Sequence, residues 1–343
     1  MPEMFAVVAE RIGGPEVIRF NERRVQPQPG KGELRIRVAA AAINPIDCAR
    51  RAGYGHRMMK LLGAAKFPLV LGNDFAGAVE AVGSGVAGWR PGDRVFGCKA
   101  ASRAGTHAEF VTVPASQALR LPESLSPEQA AAVPYSFVTA HRLVAAGLGP
   151  AQDDCRGYRV LVHGGLGSVG SFAVGLLSHA GASVDISDRA PSAEDAKARG
   201  AAQAFDLTAL APGALQGTYD AILNCARFED EAALVAMLKR GGSFATIVHP
   251  LLATLDEYGW LRGGLRARGL WRRQANRVEA AGGARYRWVL FQPDAKAFAA
   301  LNRMATQGLL MPQIAHVLDA RSAAGAHALM ATGLRGKLVL HMT

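Results

Sequence analysis

Cysteine is sparse in this chain. Cys48, Cys98, Cys155 and Cys225 stand far apart, and no Cys-x-x-Cys pair occurs. A disulfide framework is therefore excluded, and a reducing compartment is the simple reading. Long apolar runs are missing too: none reaches the ~18 residues that a membrane-spanning helix needs. The N-terminal segment scatters Glu3, Glu10, Arg11 and Glu16 among its apolar positions. It reads as a strand, a turn at Gly13-Gly14-Pro15 and a second strand. It has neither the apolar centre of a secretory signal nor the acid-poor helix of a transit peptide. These absences lead to the expectation of a cytoplasmic protein.

Acids are the minority charge: 28 Asp and Glu against 39 Lys and Arg leave a net charge of +11. Most of that surplus reads as a solvated, arginine-rich surface. It is uneven, however. Eight arginines stand between Arg262 and Arg287, with Glu279 as the only acid among them. This segment is expected to approach an anionic ligand or to make weak contact with a membrane surface. No stretch resembles a nucleic-acid-binding module, so nucleic acid is not an expected partner.

What is present suits a globular protein of two ordinary domains. The chain has 343 residues, of which 50% are hydrophobic and 20% charged. Up to about residue 125, short β-like runs at 34–40, 75–82, 94–97 and 108–113 alternate with Gly and Pro turns such as Arg90-Pro91-Gly92-Asp93. Ser126-Pro127-Glu128-Gln129 then opens a helix with a capping box, and a second helix is expected near 138–146. From Arg159 the pattern is strand and helix in turn: strands at 159–163, 183–187, 219–224 and 243–248, helices at 169–180, 194–199 and 231–239. Such alternation implies a parallel sheet covered on both faces. Helices near 295–307 and 323–330, joined by a loop, and a strand at 337–342 close the chain. The expected fold is α/β: a mostly-β domain from residues 1–126 and 292–343, and a doubly wound parallel-sheet domain from residues 127–291.

One motif carries chemistry directly. Gly164-Gly165-Leu166-Gly167-Ser168-Val169-Gly170 lies between the apolar strand Val160-Leu161-Val162 and an apolar helix. Gly165, Gly167 and Gly170 match the spacing at which one glycine permits a tight turn, one lets backbone approach a pyrophosphate, and one lets helix pack on strand. Backbone N–H groups of Ser168 and Val169, at the helix start, then face phosphate. At the end of the next strand an acid would bond a ribose 2′-OH, and an arginine would hold a 2′-phosphate. The chain offers both, as Asp188-Arg189, so NADPH and NADH stay open at this point.

With that motif in place, the chain resembles the zinc-independent quinone-oxidoreductase branch of the medium-chain dehydrogenase/reductase superfamily. The resemblance rests on Asn44-Pro45-Ile46-Asp47, Leu71-Gly72-Asn73-Asp74-Phe75-Ala76-Gly77, Trp89-Arg90-Pro91-Gly92-Asp93-Arg94-Val95, Gly105-Thr106-His107-Ala108-Glu109-Phe110, Pro134-Tyr135-Ser136-Phe137-Val138-Thr139-Ala140 and Gly336-Lys337-Leu338-Val339. Within the branch it is most similar to the reticulon-interacting mitochondrial oxidoreductase family. The segments that carry this are Arg51-Ala52-Gly53-Tyr54-Gly55, the insertion after it, and Arg285-Tyr286-Arg287-Trp288. The resemblance implies a GroES-like catalytic domain, a Rossmann cofactor domain and a homodimer. It also implies NADPH as cofactor, with Thr139 and Ile247 beside the nicotinamide. Two departures stand out. Ala193 and Leu207 occupy the neighbourhood of the usual 2′-phosphate partners, which leaves that task to Arg189. Arg227-Phe228 replaces a Gly-Gly turn.

Zinc-dependent members hold metal through a cysteine in the first of these motifs and a Gly-His-Glu in the second. Here Asn44 and Asn73 stand in those places, and a structural four-cysteine lobe is lacking. Neutral amides do not supply the thiolate, imidazole and carboxylate ligands that zinc takes, so no metal is expected. Without a Lewis acid, hydride transfer needs an acceptor that is already electrophilic, and a small lipophilic quinone, enone or enal meets that need. Asn44, Asp47, Tyr54 and Tyr135 are the candidate donors of hydrogen bonds or a proton. Each has a structural alternative, and Asp74 reads as an ion-pair partner rather than a base. Two other functions stand beside this one: reduction of a 2-enoyl thioester, and a cofactor-binding interaction protein with little turnover.

Overall fold

The computed structural model describes residues 2–101, 104–189, 191–211 and 213–342. It divides into two compact units: Met1–Val138 with Gln292–Thr343, and Thr139–Phe291.

The first unit is mostly β. The strand Glu33–Ile43 is its spine. It pairs antiparallel with Asp74–Val82, Phe110–Pro114 and Lys337–His341, so one long strand joins segments from both ends of the chain. Alternation explains the spine: Leu34, Ile36 and Val38 are buried while Arg35 and Arg37 turn outward to Phe110, Glu80 and Glu109. A smaller sheet joins Ile18–Val25, Glu3–Ala9 and Leu69–Val70. Between the sheets lies a core that includes Val7, Ile36, Phe75, Val95 and Leu340.

The second unit carries six parallel strands. In spatial order they are Gln203–Phe205, Ser183–Ser187, Arg159–His163, Tyr219–Asn224, Leu238–Thr246 and Arg285–Trp288. Counted along the chain that order is 3-2-1-4-5-6, the doubly wound arrangement whose strand reversal sits at the end of the first strand. Val160, Leu161, Val162, Ile222 and Leu223 are fully buried, as strands covered on both faces require.

Three expectations are corrected. The unit boundary falls after Val138 rather than after residue 126, because the helix Pro127–Ala131 buries Ala130 and Ala131 against the first unit's strands. The helix expected at 231–239 stops at Val235, and Leu238 already begins a strand. The expected loop before Ala323 contains the strand Ile314–Asp319, parallel to Lys337–His341.

Candidate active site

In the second unit, the strand Arg159–His163 delivers the chain into the glycine loop. Gly164 has φ +78°, in the left-handed region where glycine is at home. A Cβ on Gly165 would press on Ile186, and one on Gly170 would run into the carbonyl oxygen of Gly164. Side chains are thus excluded at both ends of the loop. The helix Ser168–His179 follows, with Gly167 at its N-cap and no side-chain cap. A helix start built this way suits phosphate oxygens, so the residues fit a dinucleotide's pyrophosphate. Val169 packs on the core beneath, and Ser168 is half-buried beside it.

Asp188 follows the neighbouring strand. One of its oxygens accepts from the Leu166 N–H at 3.0 Å and the other from the Arg189 N–H at 2.9 Å. The acid therefore also ties the loop to the strand end, while Arg189 is exposed at the edge. His163 lies beneath the loop, its ring between Ser187 Oγ at 2.8 Å and Asp230 at 3.0 Å. Ile247 leaves the strand Leu238–Thr246, its N–H donating to the Asn224 carbonyl at 3.1 Å. Thr139 is buried in the helix Pro134–Leu148.

At the carboxyl ends of the last three strands sits a polar chain that was not expected. Glu231 is wholly buried and accepts from the Tyr286 hydroxyl at 2.7 Å and from Asn224 Nδ2 at 3.3 Å. Tyr286 in turn accepts from the Trp288 indole N–H at 2.7 Å, and Trp288 stacks on His249 with ring centroids 4.7 Å apart. Burial pushes the Glu231 carboxyl up to about 7, against the pull of the hydrogen bonds from Tyr286, Thr246 and Asn224.

In the first unit, Asn44 and Asp47 come together at the start of the helix Pro45–Arg51, but their polar atoms are already engaged. Asn44 is the N-cap of that helix and Asp47 returns the capping-box bond, accepting from the Asn44 N–H at 2.8 Å. The other Asp47 oxygen accepts from the Gly72 N–H at 2.9 Å. The Asn44 amide donates to Asp74 at 2.8 Å and accepts from Lys337. Asp74 accepts from the Tyr135 N–H at 2.6 Å, and the Lys337 ammonium lies 3.9 Å away. Burial pushes the Asp74 carboxyl up to about 6, although Lys337 and Asn44 act in the opposite direction. Burial likewise lowers Lys337.

Tyr135 belongs to this group. Burial, then the carboxyls of Asp47 and Asp74, raise its phenol well above the usual value, so it keeps its proton. Tyr54 lies half-buried in the turn after the helix, its N–H on the Ala49 carbonyl at 2.9 Å. Asn73 donates to the Lys99 carbonyl at 2.9 Å. His107 contacts the Ala42 carbonyl through Nε2 at 3.0 Å, a structural placement. Among the described residues, no three His, Cys, Asp or Glu side chains form a group able to hold a metal ion.

Two contributors escaped sequence reasoning. Lys337 was visible only as part of a Gly-Lys-Leu-Val string, with no charge partner nearby in sequence. Glu231 opens a short apolar helix, and nothing local shows that it is buried.

A GroES-like unit and a Rossmann unit with a glycine loop define a medium-chain, nicotinamide-dependent oxidoreductase. Residues 30–123 match the alcohol dehydrogenase GroES-like domain, and residues 199–340 the zinc-binding dehydrogenase domain. The chain is 30% identical over 333 residues to NAD(P)H oxidoreductase RTN4IP1, mitochondrial, of Danio rerio, covering 92% of this chain and 85% of that protein. The Homo sapiens protein of the same name is 29% identical, with 91% and 82% covered. The quinone oxidoreductase of Coxiella burnetii superposes with a TM-score of 0.80 at 25% identity, all of both chains covered. The chain belongs to the medium-chain dehydrogenase/reductase superfamily and, within it, to the family of the NAD(P)H oxidoreductase RTN4IP1 proteins.

The same relatives correct the cytoplasmic expectation, since both are named as mitochondrial. Four unpaired cysteines do not distinguish the cytoplasm from another reducing compartment.

Proposed function

We propose that this oxidoreductase takes NADPH and reduces a lipophilic acceptor of the quinone, enone or enal class without zinc. The observation that carries the reading is the buried set Asn44, Asp74 and Lys337. Where zinc-dependent members of the superfamily present metal ligands, this chain has neutral amides and an ammonium group already held beside a carboxylate. A second cation at that point would meet the Lys337 ammonium as a like charge, and the oxygens of Asp74 and Asp47 are already taken by hydrogen bonds from the fold.

Bound NADPH supplies a hydride from its nicotinamide ring. The chain's own residues bind, orient and supply hydrogen bonds. The glycine loop and the start of the helix Ser168–His179 hold the pyrophosphate, and Arg189 meets the 2′-phosphate. Asn44 and Asp47, with every polar side-chain atom engaged in the fold, act as positioning residues for the helix that bears them. Tyr135 and Tyr54 are the candidate donors to the oxyanion that forms on the acceptor. One hydride and one proton convert a quinone to a hydroquinone. A homodimer belongs to the same reading, because Arg285–Trp288 is the outer strand of its sheet.

The test is a turnover screen with NADPH and NADH against short-chain quinones, enals and crotonyl-CoA, with metal content measured on the same sample. Quinone or enal reduction by metal-free protein supports the reading. Turnover of crotonyl-CoA alone, or activity proportional to bound zinc, refutes it. Arg189→Ala is expected to raise the KM for NADPH at least about tenfold more than that for NADH.

A further inference from the structure

The eight-arginine segment lies largely on the long helix Leu251–Ala280, which breaks at Gly259, where φ is 79° and ψ 180°. After the break the helix folds back closely enough that Gly263 lies on the backbone of Thr254 and Leu255. At 3.6 residues per turn, Gly263, Ala267, Gln274 and Val278 share the face that is buried. The opposite face is apolar at its centre: Leu261 is 78% exposed and Leu265 62%. Trp260, 46% exposed, follows the break directly and lies on the side of the helix that Val278 shares, away from the two leucines. Arg262, Arg266 and Arg273, all exposed, flank this apolar centre, and Arg272 lies in line with the two leucines. Arg266 is held over the Tyr258 ring at 4.7 Å, so part of the basic flank is set in place.

We propose that this face, Leu261 and Leu265 with the flanking arginines, docks the protein on the surface of an anionic phospholipid bilayer. The helix would lie in the plane of the interface, its leucines below the headgroups and its guanidinium groups on phosphates. It does not span: no helix among the described residues is long and apolar enough to cross a membrane. Charge complementarity selects this occupant over two others. A second copy meeting the same face across a two-fold axis would oppose arginine to arginine. A polynucleotide would engage the arginines and leave Leu261 and Leu265 in water. The inference does not rest on the identity of the acceptor, but docking would bring the enzyme to the phase in which a lipophilic acceptor dissolves.

The test uses the full chain and two kinds of vesicle, phosphatidylcholine alone and phosphatidylcholine mixed with phosphatidylglycerol. Co-sedimentation with the mixed vesicles is expected, weakening as salt rises. The double variant Leu261→Ser, Leu265→Ser should lose about tenfold in partitioning, and Arg262→Gln with Arg273→Gln a similar factor together with most of the salt dependence. NADPH binding retained in each variant shows that the fold is intact. Equal binding to neutral vesicles, undiminished binding of the leucine variant, or a dimer that the leucine variant dissolves in the absence of vesicle binding would each overturn the proposal.

Discussion

The hydroxyl of Tyr286 donates to the buried carboxyl of Glu231 at 2.7 Å and accepts from the Trp288 indole at the same distance. One phenol thus links a group with no exposure to solvent to an aromatic ring at the carboxyl end of the sheet. A carboxyl shielded from solvent therefore sets the orientation of an aromatic ring on the outer strand of the sheet.

Glu231 makes stability depend on pH. Its carboxyl titrates at about 7 in the folded protein against an ordinary 4.5. The folded state therefore holds a proton that the unfolded chain has already released. Its contribution is complete below about pH 4.5, fades as pH rises through about 7, and is gone above. The expected loss over that window is on the order of 3 kcal/mol. Thermal unfolding of Glu231→Gln followed across this range should show a shallower decline than the parent, the remainder coming from Asp74. Parallel curves for the two proteins would refute the assignment.

Removing the phenol oxygen tests the link to Trp288. Tyr286→Phe leaves the indole N–H without its acceptor and Glu231 without its shortest donor, at a cost of about 1–3 kcal/mol. If the stacked Trp288 and His249 rings form a wall for the acceptor, the KM for a quinone should rise several-fold while kcat changes little. A fall in kcat at constant KM would place the phenol in the chemical step instead.

Lys337 and Asn44 predict a different signature. In Lys337→Met the Asn44 carbonyl oxygen loses its donor and Asp74 its counter-charge, and breaking a buried pair of this kind costs about 3 kcal/mol. Asp74, already pushed up to about 6 with the lysine present, titrates higher without it. The deficit should therefore be smaller near about pH 5, where the carboxyl is protonated, than near about pH 8. Denaturant unfolding at both pH values measures it. Affinity for NADPH, whose loop lies in the other unit, should be unchanged.

How much could be read in advance follows from what each feature depends on. The glycine loop was legible because its chemistry is local: Gly165, Gly167 and Gly170 are needed where a strand passes into a helix. The parallel sheet was legible because alternating elements leave few other arrangements. The long helix 251–280 was not, because Gly259, Gly263, Gly264 and Gly269 with many arginines obscure any apolar stripe, and the inward face includes glycine and glutamine. The strand Ile314–Asp319 has no buried face of its own and exists through its pairing with Lys337–His341. Asn44 and Asp47, expected as hydrogen-bond or proton donors, are joined in a capping box at the start of one helix. Their partners Asp74 and Lys337 lie far along the chain, so the full engagement of their side chains could not be seen.

Two glycines on the same helix separate nucleotide binding from simple helix propensity. A Cβ at Gly170 would collide with the carbonyl oxygen of Gly164, a backbone atom that cannot swing away, whereas one at Gly175 would meet nothing within 4 Å. Gly170→Ala should lose about 1–3 kcal/mol of stability through overpacking. Because the loop must move to admit the methyl group, the Kd for NADPH should rise at least about tenfold. Gly175→Ala should instead gain about 0.5–1 kcal/mol, since alanine restricts the unfolded chain and favours helix. Its nucleotide affinity should match the parent's. Fluorescence titration with NADPH and thermal unfolding on both variants measure all four quantities. If Gly170→Ala bound NADPH like the parent, the close approach of helix start to loop would not be what shapes the phosphate cradle, and the assignment of this loop as the pyrophosphate site would fail with it.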